Sequence, residues 1–187
     1  MKYGATLAAL LLIAGCTTTP KQSVTEPVTD ATQLRDWYAQ GRMGVSGVAQ
    51  AGSGSFSWQQ HGEVSQVNLH GPLGAGAVSL LLDTALHVTF SNGIRYDADD
   101  ALRELELRLG AAVPVKQLSY WLRGVPAPGD YQWREDGKDG KRSLQQDNWT
   151  IEYDDSVQVE VIQLPRKITA THDAARIRVV IESWKLQ

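Results

Sequence analysis

The sequence has few of the residues from which disulfides, metal sites and catalytic centres are built. Its single cysteine, Cys16, excludes an internal disulfide. None of its histidines has the HxxxH or HExxH spacing of helical zinc sites; they are His61, His70, His87 and His172. A zinc site would need ligands from scattered positions, so we predict no metal and no cofactor.

Motifs for enzyme chemistry are also missing. The sequence has no G-x-S-x-G nucleophile elbow. Gly74-Ala75-Gly76 precedes an apolar, strand-like run and lacks the third glycine and the helix of a dinucleotide site. Asp97, Asp99 and Asp100 lack calcium-loop spacing, and a helix start explains them more simply. We therefore predict no catalytic residue and no enzyme activity.

No apolar run reaches the roughly 20 residues that span a bilayer. The run at residues 5–14 follows Lys2 and ends at Gly15-Cys16, which is typical of a secretory signal. Ile13-Ala14-Gly15-Cys16 resembles the lipobox of bacterial lipoproteins, which implies cleavage before Cys16 and acylation of that residue. An ordinary signal peptide with a chance cysteine is the alternative.

The predicted organisation is a signal peptide at 1–15, a lipidated flexible tether at 16–30 and one folded domain at 31–187. The tether is rich in Thr, Pro and Ser. Thr17 follows the cysteine; the absence of Asp there resembles the outer-membrane class of lipoproteins. We therefore expect a lipid-anchored protein on the periplasmic face of the outer membrane.

Charge gives little indication of a polyanionic partner. Without residues 1–15 the chain has 17 Lys and Arg against 21 Asp and Glu, a net charge of −4. This balance does not suggest nucleic acid, for which a basic patch is the usual sign. It also gives no reason to expect electrostatic docking on anionic lipid.

Alternating apolar and polar residues predict many short strands. From Arg42 the period is two, as in Phe56 and Trp58, and Asn92-Gly93 is a strong hairpin signal. Before it, Asp30 and Gln33 predict a helix start, with a short helix ending at Gly41. The alternation returns after residue 130 and continues to Trp184.

The middle of the chain, between Asp99 and Gly124, is predicted to be helical. Leu102, Leu105 and Leu109 share one helical face, and a second helix starts near Pro114. A single antiparallel sheet of about eleven strands must curl or close. We therefore predict a mainly β fold: an open, incomplete barrel with a helical lid inserted after strand six, an N-terminal helix, and a cavity under the lid.

The loop Gly71-Pro72-Leu73-Gly74-Ala75-Gly76 is unusual because it holds one large apolar side chain and no charge. Surface loops are normally polar. Leu73 either folds back onto the core or is held out to enter a membrane or a ligand. Burial of one leucine is worth about 1.5–3 kcal/mol, enough for a transient contact with lipid.

Several motifs in the same order resemble the outer-membrane lipoprotein receptor family LolB. They are the lipobox, Trp37 with Gly41-Arg42, Phe56-Ser57-Trp58-Gln59-Gln60, Gly71-Pro72-Leu73-Gly74, Tyr96-Asp97-Ala98-Asp99-Asp100, Leu118-Ser119-Tyr120-Trp121-Leu122-Arg123-Gly124, and Leu164-Pro165 with Trp184. The resemblance implies an open barrel of eleven antiparallel strands with a helical lid and a hydrophobic cavity. It also implies that the periplasmic carrier LolA delivers lipoproteins, which the receptor places in the outer membrane without ATP.

The resemblance assigns Leu73, with Gly71, Pro72 and Gly74 around it, to a membrane-insertion loop; Gly71 replaces the Asn of some relatives. Our candidates for the cavity lining, each of which plain core would also explain, are Trp58, Leu69, Leu80, Leu105, Leu118 and Trp121. The expected partners are LolA, lipoprotein acyl chains and the outer membrane, with no nucleic acid, and we expect a monomer. Two alternatives are a lipoprotein that carries free lipid or another apolar ligand, and a structural subunit of an outer-membrane assembly complex.

Overall fold

The structure is a computed structural model that describes residues 29–47, 51–71, 76–109, 112–136, 141–173 and 175–187. The predicted signal peptide, Cys16 and nearly all of the predicted tether lie outside the described residues. So do Pro72, Leu73 and Gly74 of the predicted membrane-insertion loop.

Strands dominate both halves of the chain. The first half contains β1 (Asp36–Ser46), β2 (Ala51–His61), β3 (Val64–His70), β4 (Ala77–Leu82), β5 (Leu86–Phe90) and β6 (Arg95–Asp97). Two helices follow, α1 (Ala98–Leu109) and α2 (Val115–Trp121). The second half contains β7 (Tyr131–Asp136), β8 (Lys141–Gln146), β9 (Trp149–Val159), β10 (Ile162–His172) and β11 (Ala175–Leu186).

All eleven strands form one sheet, in the order β6-β5-β4-β3-β2-β1-β11-β10-β9-β8-β7. Every neighbouring pair is antiparallel. The first and last strands pair in the middle, so β6 and β7 are the two edges and the sheet is not closed. The predicted open sheet of eleven antiparallel strands, with a helical insertion after the sixth, is confirmed.

One face of this sheet is buried. Inward side chains from both halves of the sheet form a single hydrophobic core with residues of α1 and α2. In β1 the buried side chains are Trp37, Ala39, Met43 and Val45, while their neighbours along the strand point outward. The helices therefore cover the inner face, as expected of a lid. No helix in the described part of the chain is both long and apolar enough to cross a membrane.

The short N-terminal helix predicted up to Gly41 is wrong. Asp30 accepts a hydrogen bond from the backbone of Thr32 at 2.8 Å, but this turn is not continued. From Asp36 the chain enters β1, which pairs with β2 and β11 on its two sides. In β1, Trp37 is buried while the next residue, Tyr38, points to the opposite face, so the helical spacing of Leu34, Trp37 and Tyr38 does not reflect a shared face. Pairing on both sides of β1 decides the conformation.

Gly41 has a different role from the predicted helix stop. It lies at a register shift between β1 and β11, next to Gln40. A Cβ atom added to Gly41 would lie 2.1 Å from the carbonyl oxygen of Val180, which is a backbone atom. Only glycine allows the two strands to approach this closely.

The buried face of α1 includes Leu105 as predicted, but Ala101 takes the place predicted for Leu102. Ala101 and Leu105 are buried at i, i+4, whereas Leu102 is 49% exposed. In α2, Val115, Leu118 and Trp121 lie at helical spacing and are all buried. The small side chain of Ala101 allows α1 to lie close to the sheet, which the position of the leucines alone did not indicate.

Candidate functional site

A largely apolar cavity of about 570 Å³ lies between the inner face of the sheet and the two helices. It lies toward the end of the sheet where β1 finishes and β2 begins. Its larger apolar side chains come from four strands, both helices and the segment before α2: Met43, Val45, Leu69, Val78, Leu80, Phe90, Leu105, Val113 and Val115. Volumes of 300–1,000 Å³ and apolar walls are typical of small-ligand sites.

The rim of the cavity is more polar than its walls. Ser53, Ser55 and His70 lie there with the β5–β6 turn residues Ser91 and Asn92. The predicted membrane-insertion loop begins and ends at this rim, where the backbone N–H of Gly71 donates to the carbonyl oxygen of Gly76 at 3.0 Å. The mouth of the cavity and the base of this loop therefore share one end of the sheet.

The six leucines and tryptophans predicted to line a cavity divide into two groups. Leu69, Leu80 and Leu105 lie along this cavity. Trp58, Leu118 and Trp121 are not among its lining residues and are packed in the core. The inward direction of all six follows from sequence periodicity, but their distance from the open end depends on the packing of the helices.

The sequence analysis missed several wall residues. Val78 and Phe90 follow the same inward alternation as Leu80 and Val88, and that signal could have identified them. Met43 and Val45 lie on the inward face of β1, beyond the residues that were read as a helix. Val113 lies in the short segment before α2, where no periodicity applies.

The core beyond the cavity contains two buried glutamines that bind tryptophan side chains. The Oε1 atom of Gln60 accepts from Trp58 Nε1 at 3.0 Å and from the Ser65 hydroxyl at 2.7 Å. The Oε1 atom of Gln146 accepts from Trp121 Nε1 at 3.0 Å. These bonds satisfy polar groups that would otherwise be costly to bury, and they fix the orientation of the two indoles.

A third tryptophan completes this part of the core. The ring of Trp37 stacks on Trp58, with the centroids 6.0 Å apart, and lies 5.3 Å from the ring of Trp184. Its Nε1 atom has no hydrogen-bond partner among the described residues. These tryptophans fill one end of the inner face, and the cavity lies at the other end, under α1.

Arg123 joins the lid to the start of the domain. Its Nη1 atom donates to the carbonyl oxygens of Leu34 at 2.6 Å and Ala31 at 3.2 Å. Its Nε atom donates to the carbonyl oxygen of Ser119 at 3.1 Å. Burial lowers the pKa of Arg123 from its ordinary value. The guanidinium therefore attaches the turn before β1 to the end of α2.

The clearest group of interacting titratable side chains lies on the outer face, away from the cavity. Hydrogen bonds from His87 and, to a smaller extent, from Arg95 lower the pKa of Asp97. His87 alternates with the buried Leu86 and Val88, so it points outward. Within the described ranges, no group of three or more His, Cys, Asp or Glu side chains is arranged to hold a metal ion.

The chain matches the family described as outer membrane lipoprotein LolB over residues 35–184. It is 38% identical over 189 residues to the outer-membrane lipoprotein LolB of Alkalilimnicola ehrlichii, covering 96% of this chain and 94% of that one. It is 32% identical over 190 residues to that of Chromohalobacter salexigens, covering 96% and 88%.

Two solved structures are similar in shape only. A DUF1329 family protein from Desulfovibrio piger has a TM-score of 0.50 and 8% identity, over 84% of this chain and 88% of that one. A LolA superfamily protein from Nitrosomonas europaea has a TM-score of 0.49 and 10% identity, over 83% and 87%. The family match and the sequence relatives show that this chain belongs to the LolB family of outer-membrane lipoproteins, which a lipid anchors at the outer membrane.

Proposed function

We propose that this protein is a receptor that accepts lipoproteins from a periplasmic carrier of the LolA type, holds their acyl chains in the cavity and inserts them into the outer membrane. The observation that carries the proposal is the apolar cavity under α1 and α2. A half-open apolar cavity suits a step in which a lipid moves and no bond changes. A sheet that served only as a docking surface would need no such space.

The size of the cavity fits an acyl chain. Its volume of about 570 Å³ lies within the range of sites that hold small apolar ligands. Each buried methylene contributes about 0.8 kcal/mol, so one chain exposed to water would cost on the order of 10 kcal/mol.

Relative affinity is sufficient to drive the transfer. The acyl chains of a lipoprotein expose about 45 methylenes, a cost of tens of kcal/mol that excludes free diffusion through water. A cavity that binds the chains more tightly than the carrier, but less tightly than a bilayer, passes them toward the membrane without ATP. The lipid on Cys16 holds the receptor at its destination, and Leu73 makes the transient contact with lipid.

Transfer of a labelled lipoprotein from carrier to receptor to liposome tests this proposal. The mature chain with Cys16→Ala should still accept lipoprotein, because the anchor sets location only. Failure of this unanchored chain to accept would contradict the receptor function. Uptake of free fatty acid without uptake of lipoprotein would favour the alternative, a carrier of free lipid.

The loop has its own variant in the same assay. Leu73→Glu should accept lipoprotein normally but deliver it poorly, because a charge at the tip resists entry into lipid. Val161→Glu is the matched control: Val161 is 59% exposed in the β9–β10 turn, at the other end of the sheet. Equal delivery by the wild type and Leu73→Glu would remove the role assigned to Leu73.

A further inference from the structure

Three arginines surround a second concavity, of about 550 Å³, on the outer face of the sheet. Arg42 lies on β1, and Arg176 and Arg178 lie on β11. We call this concavity the arginine groove. All three arginine side chains are exposed.

The strand register explains the shape of the groove. Arg178 pairs with Gly44, which pairs on its other side with Ser53. In the next outward-facing row, Arg176 pairs with Ser46, and Ser46 pairs with Ala51. Small side chains therefore form the floor, over which the three long side chains can extend.

The charge of the groove is of one sign. Among the described residues that line it, three are arginines and none is acidic. Among the described residues, none of the three has a salt bridge, a side-chain hydrogen bond or a cation–π contact. Two other outward-facing arginines do have partners: Arg95 binds Asp97 at 2.9 Å and Arg166 binds Asp155 at 3.3 Å. The arginine groove thus has donors available for an anion.

The groove lies beside the mouth of the apolar cavity. Met43, Val45 and residues 51–54 line both concavities, one from each side of the sheet. A surface that binds the groove therefore also lies next to the cavity mouth and to the base of the loop at Gly71. Since the protein is anchored at the outer membrane by lipid, the surface of that membrane is within its reach.

We propose that the arginine groove binds the phosphates of anionic phospholipids and so orients the cavity mouth toward the membrane. Guanidinium groups bind phosphate oxygens in a bidentate manner, and the serine hydroxyls of the floor add further donors. The net charge of −4 on the predicted mature chain repels an anionic surface elsewhere, so local attraction at one end favours a single orientation. This proposal depends on the proposed function, because it assigns the orientation that delivery requires.

Vesicle binding by the mature chain with Cys16→Ala tests the groove without the anchor. The vesicles contain two parts phosphatidylcholine to one part phosphatidylglycerol, with pure phosphatidylcholine for comparison. Binding to the mixed vesicles should be stronger, and it should weaken with salt, because the screening length falls from about 10 Å at 0.1 M to about 3 Å at 1 M. Since each arginine near an anionic surface contributes a factor of roughly five, the triple variant R42Q/R176Q/R178Q should bind at least tenfold more weakly.

The control variant R35Q/R103Q/R134Q removes the same charge from three other exposed positions. It should retain the wild-type preference for the mixed vesicles. Equal binding by the groove variant and the wild type would overturn the proposal, and so would an equal loss in the control. Absence of any preference for phosphatidylglycerol in the wild type would also overturn it.

The same proteins separate this proposal from the proposed function. The groove variant should still accept lipoprotein from the carrier in solution, because the arginines do not line the apolar cavity. If the wild type accepts lipoprotein but the groove variant binds vesicles as well as the wild type does, only the proposed role of the arginine groove is refuted. No acceptance by the wild type would refute the receptor function itself.

Discussion

Leu69→Asn places an amide of similar size in the cavity wall. Leu69 lies on the inner face of β3, where it pairs with Phe56 and Val78 and is only partly buried. Without a ligand, the amide can remain hydrated at this wall, so the effect on folding should be modest. When an acyl chain binds, the amide loses its water and gains no hydrogen-bond partner from the chain.

The expected effect is a loss of affinity. Loss of leucine contacts and desolvation of an unpaired amide each cost on the order of 1 kcal/mol or more. A total of about 2 kcal/mol corresponds to roughly a 30-fold rise in the dissociation constant. Titration of the protein into a fatty acid with an environment-sensitive fluorophore measures this constant directly.

Leu81→Asn is the matched control for Leu69→Asn. Leu81 lies on β4, is 38% exposed and points to the outer face, opposite to its neighbour Leu80. The same substitution there should leave acyl binding unchanged. An unchanged constant for Leu69→Asn, or an equal rise for Leu81→Asn, would show that this cavity does not hold the chain.

Two further predictions concern stability, and urea unfolding tests both. Tyr153→Phe should raise the free energy of unfolding by about 1 kcal/mol, because the buried hydroxyl of Tyr153 has no hydrogen-bond partner among the described residues. The control Tyr131→Phe, at an exposed position, should leave the free energy of unfolding unchanged. A clear loss of stability in Tyr153→Phe would contradict the reasoning. Burial also raises the pKa of Tyr153, so the wild type, unlike this variant, should lose stability above about pH 10, where the unfolded chain ionises first. Gly41→Ala should cost about 3 kcal/mol, because its Cβ would overlap the oxygen of Val180. Gly44→Ala, whose nearest contact would be 3.7 Å, should be nearly neutral, and equal costs would refute the argument from close approach.

Local sequence signals predicted most of the strands because each hairpin is made of neighbours in the chain. The alternation around Phe56 and Trp58 and the Asn92-Gly93 turn needed no knowledge of distant residues. The N-terminal helix was wrong for the opposite reason. The partner of β1 on one side is β11, at the far end of the chain, and no local pattern around Trp37 reveals it.

The residues that line the apolar cavity were predictable only in part, because sequence periodicity is a local signal. Periodicity identified inward-facing residues, so Leu69, Leu80 and Leu105 could be chosen, but it did not separate them from inward residues of the filled core such as Trp58. That separation depends on where α1 and α2 lie. The arginine groove could not be predicted, because Arg42 and Arg178 are brought together only by the pairing of the first and last strands.

The pairing of β1 with β11 therefore connects the core, the cavity and the groove. Along β1, inward residues pass from the core at Trp37 to the cavity wall at Val45, while the outward Arg42 and Gly44 line the groove. A slip of one residue would exchange the two faces, placing arginine in the cavity and valine on the surface. The close approach at Gly41 favours one register, since a side chain there would meet the backbone of β11. An apolar site inside and a cationic site outside can thus share one strand only while that register holds.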